Sequence, residues 1–197
     1  MKILIVVAHP NPGSFNHAIA LAAAETARAA GHTVILHDLC AEGFDPLMPA
    51  AEFSKDATLP PPIARHCGEL RSAGGLVVVH PNWWGQPPAI LTGWIDRVVR
   101  PGVAYEFKAG DGGDGVPVGL LGLRAAIVFN TANTPPDREA AVYGDPLDAI
   151  WMKCVFGLCQ VPNAVRRTFS VVIASTPAER ATWLEEVRSM VRQRFAG

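Results

Sequence analysis

The sequence predicts an α/β chain, an open five-stranded parallel sheet with helices on both faces. Three observations carry this. Short apolar, β-branched-rich runs alternate along the chain with longer segments of helical spacing. The runs are apolar at successive positions, the pattern of strands covered on both sides. Several of them end in clusters of Pro, Asn and Gly, the punctuation expected at the end of a strand.

Taken in order, residues 3–8 form a first strand, broken by HPNPGSFN at 9–16. Residues 15–30 are alanine-rich and helical, and Gly31 ends that helix. Residues 33–36 form a second strand, followed by Asp38. The pattern then dissolves over 41–62, which holds five prolines and is expected as a long surface excursion. Residues 63–72 suit a helix. Residues 76–79 form a third strand, which His80-Pro81-Asn82 should end. Trp83 and Trp84 follow in a loop with Gly85, Pro87 and Pro88. Over 89–99, Ile90, Leu91, Trp94, Ile95, Val98 and Val99 have helical spacing. Residues 101–122 carry seven glycines and form a second insertion, of a length that tends to be functional in a compact domain. Residues 123–129 give a fourth strand, ended by NTANTPP. Residues 146–159 form a helix with Pro146 in its first turn. A last strand spans 165–174, with Arg166 and Arg167 at its start. A terminal helix spans 177–195, capped by Ser175 or Thr176. One domain over 1–197 is expected.

Five strands in this sequence suit the flavodoxin-like spatial order 2-1-3-4-5. A dinucleotide-binding Rossmann domain would need G-x-G-x-x-G after the first strand, which is absent. It would also need an acidic residue closing the second, where Asp38 alone stands.

Composition narrows the classes. The chain has 197 residues, 49% of them hydrophobic, 18% charged, with a net charge of −1. That balance gives no general electrostatic reason to expect nucleic acid or an anionic membrane as partner. Cys40, Cys67, Cys154 and Cys159 have no C-x-x-C spacing and read as reduced thiols. The six-residue apolar run near the start is too short for a signal segment, and no stretch is long enough to span a bilayer, so a cytoplasmic protein without membrane insertion is expected. No metal is expected, because no His/Cys/Asp/Glu set has ligand spacing. His17 and His32 read as helix-surface or turn residues, His37 and His66 as isolated, and His80 as a packing or hydrogen-bonding residue. No Gly-x-Ser-x-Gly elbow supports a hydrolase.

In an open α/β sheet, ligands bind beyond the carboxyl ends of the strands. Three loops should meet there. The loop at 9–16 leads into a helix whose first N–H groups and dipole can hold a phosphate, with Ser14 and Asn16 as added donors and Gly13 easing the turn. It contains no lysine or arginine. It reads equally as an ordinary helix capped by Ser14. The second loop is aromatic. Neighbouring tryptophans in an extended loop point in different directions, which favours a ligand platform over a shared core position. The third, NTANTPP, is rich in donors, although alone it is only a turn.

The residues His9-x-x-x-x-Ser14-Phe15-Asn16, Pro81-Asn82-Trp83-Trp84-Gly85, PAILTGWIDRV from Pro88, Ala104-Tyr105-Glu106-Phe107, Tyr143-Gly144-Asp145 and Ile150-Trp151 run through nearly the whole chain. On them, the chain resembles the NAD(P)H:quinone oxidoreductase family with a flavodoxin-like fold, of the modulator of drug activity B and DT-diaphorase type. The resemblance implies a flavoenzyme passing hydride from NADH or NADPH through flavin N5 to a quinone-like small molecule, with ping-pong kinetics. The flavin would be FAD or FMN. His9, Ser14, Phe15 and Asn16 would hold its ribityl and phosphate, Pro81, Asn82, Trp83 and Trp84 would line its ring, and Asn130, Thr131, Ala132 and Asn133 would bond its polar edge. Tyr105 and Phe107 would form the substrate pocket across a homodimer interface.

The chain departs from the family pattern at two places. Asn130-Thr131-Ala132-Asn133 stands where better-known members carry Thr-Thr-Gly-Gly. Asp137 and Tyr143 stand where those members use a tyrosine and a histidine to stabilise charge on the reduced flavin. Tyr143 is then the candidate catalytic donor; a buried tyrosine satisfied by backbone is the other reading. Two alternative functions share the fold: a flavin-binding regulatory subunit of a cation efflux system, and a flavodoxin-like one-electron carrier. Such carriers are commonly strongly acidic, unlike this chain.

Overall fold

A computed structural model of the chain describes residues 1–108 and 115–196. Part of the glycine-rich insertion at 101–122 therefore lies outside the described residues. The strands are β1 (Lys2–Val7), β2 (Thr33–Asp38), β3 (Gly75–Pro81), β4 (Tyr105–Glu106), β5 (Val118–Gly119), β6 (Ala125–Thr131) and β7 (Ala164–Phe169). Five of them make one parallel sheet in the order β2-β1-β3-β6-β7. With the small antiparallel β4–β5 ladder set aside, this is the 2-1-3-4-5 order.

The helices are α1 (Phe15–Ala29), α2 (Pro61–Ser72), α3 (Ala89–Val98), α4 (residues 146–158) and α5 (Pro177–Arg194). The middle of α4, Ala149–Val155, is wound as π-helix. The unbroken apolar runs of the strands serve two cores. Leu4, Val6, Leu76, Val78, Ala126 and Val128 face one way, toward Leu70, Trp94 and Trp151 of α2, α3 and α4. Ile3, Ile5, Val7, Val77, Val79, Ile127 and Phe129 face the other, toward the alanines of α1 and toward Val187 and Val191 of α5. Successive residues of a strand point to opposite faces, so a sheet covered on both sides needs apolar residues at every position.

Several boundaries differ from the sequence reading. Strand β3 runs through His80 and Pro81, and Pro81 pairs with Thr131. The proline is tolerated because of parity. Val79 O accepts from Ala8 N on the β1 side, so Pro81, two residues on, also turns its missing N–H toward β1, whose pairing with β3 ends at Val79. Strand β6 likewise continues through Asn130 and Thr131, because β3 and β7 flank it on both sides. Strand β7 ends at Phe169, and a single 3₁₀ turn at Val172–Ala174 replaces its expected continuation. Helix α2 begins at Pro61, with prolines in the first turn, where their absent N–H costs nothing.

The excursion at 41–62 is anchored rather than loose. Glu52, in a 3₁₀ turn at Ala50–Glu52, is buried and accepts two bonds from the buried Arg97 of α3. Arg100 donates to the carbonyls of Glu52 and Ser54. A Cβ on Gly93 would stand 2.2 Å from the Pro46 carbonyl, so the segment lies directly on α3 at a position only glycine fits. No helix among the described residues is long and apolar enough to cross a membrane.

Removing one member of a buried ion pair leaves the other charge uncompensated, at a cost of about 3 kcal/mol. Glu52→Ala should lower unfolding stability by about that amount in a urea titration. An unchanged midpoint would show that the Arg97–Glu52 pair does not anchor the segment.

Candidate functional site

The ends of β1, β3 and β6 share one edge of the sheet, and the loops that follow them line a single cleft of about 690 Å³. Every cofactor residue expected from the sequence lines it except Trp84 and Asn130. Asn11, Thr134, Val172 and Ile173 complete the wall, and the sequence carried no signal for the last two.

The three loops are bonded to one another. The Asn16 amide donates to Thr131 Oγ1 at 3.0 Å, and that hydroxyl returns a bond to Asn16 Oδ1 at 3.2 Å. Asn82 N donates to the Thr131 carbonyl at 2.7 Å, and Ala8 N to the Val79 carbonyl at 3.0 Å. Within the first loop, Ser14 is the N-cap of α1, and Asn11 Oδ1 accepts from Gly13 N. His9 Nδ1 accepts from Asn11 N at 3.1 Å, so the ring's proton sits on Nε2. Burial lowers the basicity of His9, and the ring is a neutral donor at the cleft wall.

His17 is not a plain surface residue. It bonds Ser14 Oγ through Nδ1 and Asp38 Oδ2 through Nε2, each at 2.8 Å. The other Asp38 oxygen accepts from Cys40 N and Ala41 N, both at 3.1 Å. Asp38 thus closes the turn after β2 and holds His17.

The tryptophans are split. Trp83 and Gln86 exchange backbone bonds around Trp84 (φ 59°) and Gly85 (φ 74°). Positive φ at both central residues marks a type I′ turn, an uncommon setting for a bulky residue. It throws Trp84 outward to 97% exposure, while Trp83 stays on the cleft wall at 44%. Trp84 instead lines an adjoining cavity of about 500 Å³ with Tyr143 and Glu139, and that cavity shares Asn82, Ala132, Asn133 and Thr134 with the cleft. Tyr143 is half-exposed at 53%, so the reading of a buried, backbone-satisfied tyrosine does not hold. It ends a π-turn, Glu139–Tyr143, closed by left-handed Gly144 and Asp145.

Asn130 is a correction. It is fully buried, and its amide faces His80 Nε2 at 2.7 Å and Arg166 at 3.2 Å. Its neighbour Thr131 points to the cleft, and pleating sends Asn130 to the opposite face. His80 is a core residue as expected. Its Nδ1 bonds the Pro81 carbonyl, and Nε2 accepts from Trp151 at 2.9 Å. Asn133 Oδ1 accepts from Ile173 N, which leaves the amide nitrogen free to donate outward. Tyr105, on β4, and Phe107, just past it, meet edge to face at 5.8 Å, and within one chain they line neither cavity. Arg166, one of two arginines in β7, lines a recess of about 260 Å³ beside the cleft and pairs with Asp145.

His37 and His66, expected to be isolated, stand 4.0 Å apart between ring centroids. His37 bonds Glu42 at 2.8 Å and Glu69 at 2.6 Å. His37, Glu42 and His66 bring ligand-type atoms within 4.8 Å of one another. The tautomer argues against a metal. Trp94 Nε1–H donates to His66 Nδ1 at 3.2 Å, which puts the His66 proton on Nε2, the nitrogen facing Glu42. A metal there needs the opposite tautomer.

The chain matches the family model described as flavodoxin-like fold over residues 1–192. The chain belongs to the flavodoxin-like fold family. Within that family it is 30% identical over 167 residues to an uncharacterized NAD(P)H oxidoreductase of Haemophilus influenzae, covering 83% of this chain and 80% of that one. It is 31% identical over 125 residues to the NAD(P)H dehydrogenase [quinone] 1 of Rattus norvegicus, covering 54% of this chain and 46% of that protein. The solved structure of Smu.1420 from Streptococcus mutans UA159 superposes with a TM-score of 0.82 at 30% identity, over 98% of this chain and all 100% of that one.

Burial pushes both His80 and His66 down to about 4, with like charges near each adding to the effect. Below the unfolded value near 6.5, the unfolded chain binds two protons that the native state refuses. Stability should therefore fall as pH drops from about 6.5 to about 4, by roughly 3 kcal/mol per unit in the middle of that window. Urea midpoints measured against pH check the slope, and His66→Gln should halve it. A flat profile above pH 5 would contradict the neutral assignments.

Proposed function

We propose that this single-domain chain is a flavin-dependent NAD(P)H oxidoreductase acting on a quinone-like acceptor. One observation carries the reading: loops after three different strands close on one cleft whose donors run from anion-suited, through aromatic, to amide-rich. The names of the Haemophilus and rat relatives point to the same chemistry.

The donor set fits a phosphorylated planar heterocycle. The first N–H groups of α1, the Ser14 hydroxyl and His9 Nε2–H suit the phosphate. Phe15 and Asn16 fix that helix start, one packed on Phe169 and the other bonded to Thr131. The exposed Trp83 indole and Pro81 offer a flat wall for the ring. Thr131, Ala132 and the Asn133 amide would hold its polar edge and would stabilise negative charge there. When bound, the flavin supplies the hydride chemistry between NADH or NADPH and the acceptor. FMN and FAD both satisfy these donors.

Tyr143 would donate the proton from the adjoining cavity, which would admit nicotinamide and acceptor in turn. A homodimer would complete that cavity. Trp84 and the exposed Leu47 line one open groove of about 460 Å³ at its edge, and a second copy could cover them. Tyr105 and Phe107 would then serve the partner's site. We also place the protein in the cytoplasm.

The purified protein should be yellow and should release a flavin nucleotide on heating. Trp83→Ala combined with Trp84→Ala should lose flavin content and NAD(P)H oxidation together, and survival of both would end the platform reading. Tyr143→Phe should retain flavin but lower turnover by about 10²-fold. Unchanged turnover would remove Tyr143 from the reaction.

A further inference from the structure

We propose that His17, held by Asp38, is a positioning residue that sets a positive charge one hydroxyl behind the phosphate-binding loop and so makes affinity for a phosphorylated flavin depend on pH. The inference rests on the flavin reading above and adds to it a source of charge that the cleft otherwise lacks.

Among the described residues the cleft wall contains no lysine or arginine, and its one titratable side chain there, His9, is kept neutral by burial. A helix dipole contributes about half a charge, less than a phosphate carries. Arg166 and Arg167, in the recess beside the cleft, are already paired with Asp145 and Glu186, whereas His17, one residue beyond the wall, touches the loop directly through Ser14.

Donor arithmetic decides how it acts. Ser14 Oγ has one hydrogen, and it stands 2.8 Å from His17 Nδ1. With the cleft empty of anions, Ser14 donates to Nδ1, while Nε2–H donates to Asp38. Every bond is then made with a neutral ring. A phosphate oxygen only accepts, so to bond it Ser14 must turn its hydrogen outward. Oγ then offers Nδ1 a lone pair, and the contact remains a hydrogen bond only if Nδ1 also carries a proton. The ring takes that proton from solvent, becomes an imidazolium between Asp38 and Ser14, and the phosphate meets a charged relay. One proton is bound for each phosphate bound, and the bond order is otherwise conserved.

The charged and titratable groups facing His17 are few. Asp38 is on β2. His9 lies edge-on, its centroid 6.3 Å away. The Cys40 thiol beside Asp38 is pushed up by burial and by that carboxylate, and stays neutral. Asp38 is the only anion among them, fixed by the N–H groups of Cys40 and Ala41.

The test is fluorescence titration of FAD and of riboflavin, which lacks phosphate, onto the flavin-free full chain from pH 5.5 to 8.5. FAD is chosen because its diphosphate keeps a fixed charge there. FAD affinity should fall about tenfold as pH rises across that range, and riboflavin affinity should not move. His17→Gln should bind FAD weakly and without pH dependence. Asp38→Asn should shift the wild-type midpoint to lower pH, and it carries the test if His17→Gln does not fold. A flat FAD profile in the wild type, the same slope in His17→Gln, or an equal slope for riboflavin would overturn the proposal while leaving the flavin reading standing. If neither flavin binds at any pH, both readings fall.

Discussion

The cleft depends on one buried contact, the reciprocal bond between the Asn16 amide and the Thr131 hydroxyl. Asn16 opens α1 and Thr131 closes β6, 115 residues later in the chain. The same Thr131 offers its carbonyl to Asn82 N, so the first, second and third loops are all tied at one residue. Both side chains are nearly shut off from solvent. A buried polar group left unpaired costs about 1–3 kcal/mol, which makes this pairing far stricter than an apolar contact of similar size. The sheet brings the three loops to one edge, and the Asn16–Thr131 pair fixes their spacing.

The longest shared motif does different work. PAILTGWIDRV looks like a ligand signature, yet its helix α3 contributes no residue to the main cleft. Gly93 makes room for the Pro46 carbonyl, Trp94 fills the core and bonds His66, and Arg97 binds Glu52. Gly93 and Arg97 hold the 41–62 segment against α3, and Trp94 ties α3 to α2. The motif is therefore mainly a packing device, and the cleft chemistry sits in the shorter and less distinctive loops on either side.

This division explains what the sequence made legible. Strand and helix order follow from the apolar periods, because burial on both faces of the sheet leaves a local mark at every position. The cleft loops were legible as strand ends. What stayed hidden were contacts between residues distant in sequence. His17–Asp38, His37–Glu69 and Arg166–Asp145 join residues about twenty or more apart, and nothing local marks them. Asn130 was misplaced because β6 runs two residues past Phe129, and in a pleated strand Asn130 and Thr131 face opposite ways. The isolated look of His37 and His66 failed for the same reason: one is on β2 and the other on α2, and only packing brings the rings together.

The Arg166–Asp145 pair bears on how the site treats charge. Asp145 is held in the left-handed region at φ 49°, a conformation that costs an L-residue about 1–2 kcal/mol. Gly144 before it makes the corner possible, and the turn delivers the carboxylate to Arg166. Arg166 also donates to Asn130 and Thr168. Its positive charge is thereby neutralised within the recess, and its field at the cleft is that of a dipole rather than a cation. Among the described residues the cleft is walled by dipoles, a neutral imidazole and amides, and offers a ligand no fixed charge. In such a site the orientation of the donors, rather than a fixed charge, sets the electrostatics, and the Asn16–Thr131 pair is what holds that orientation across the three loops.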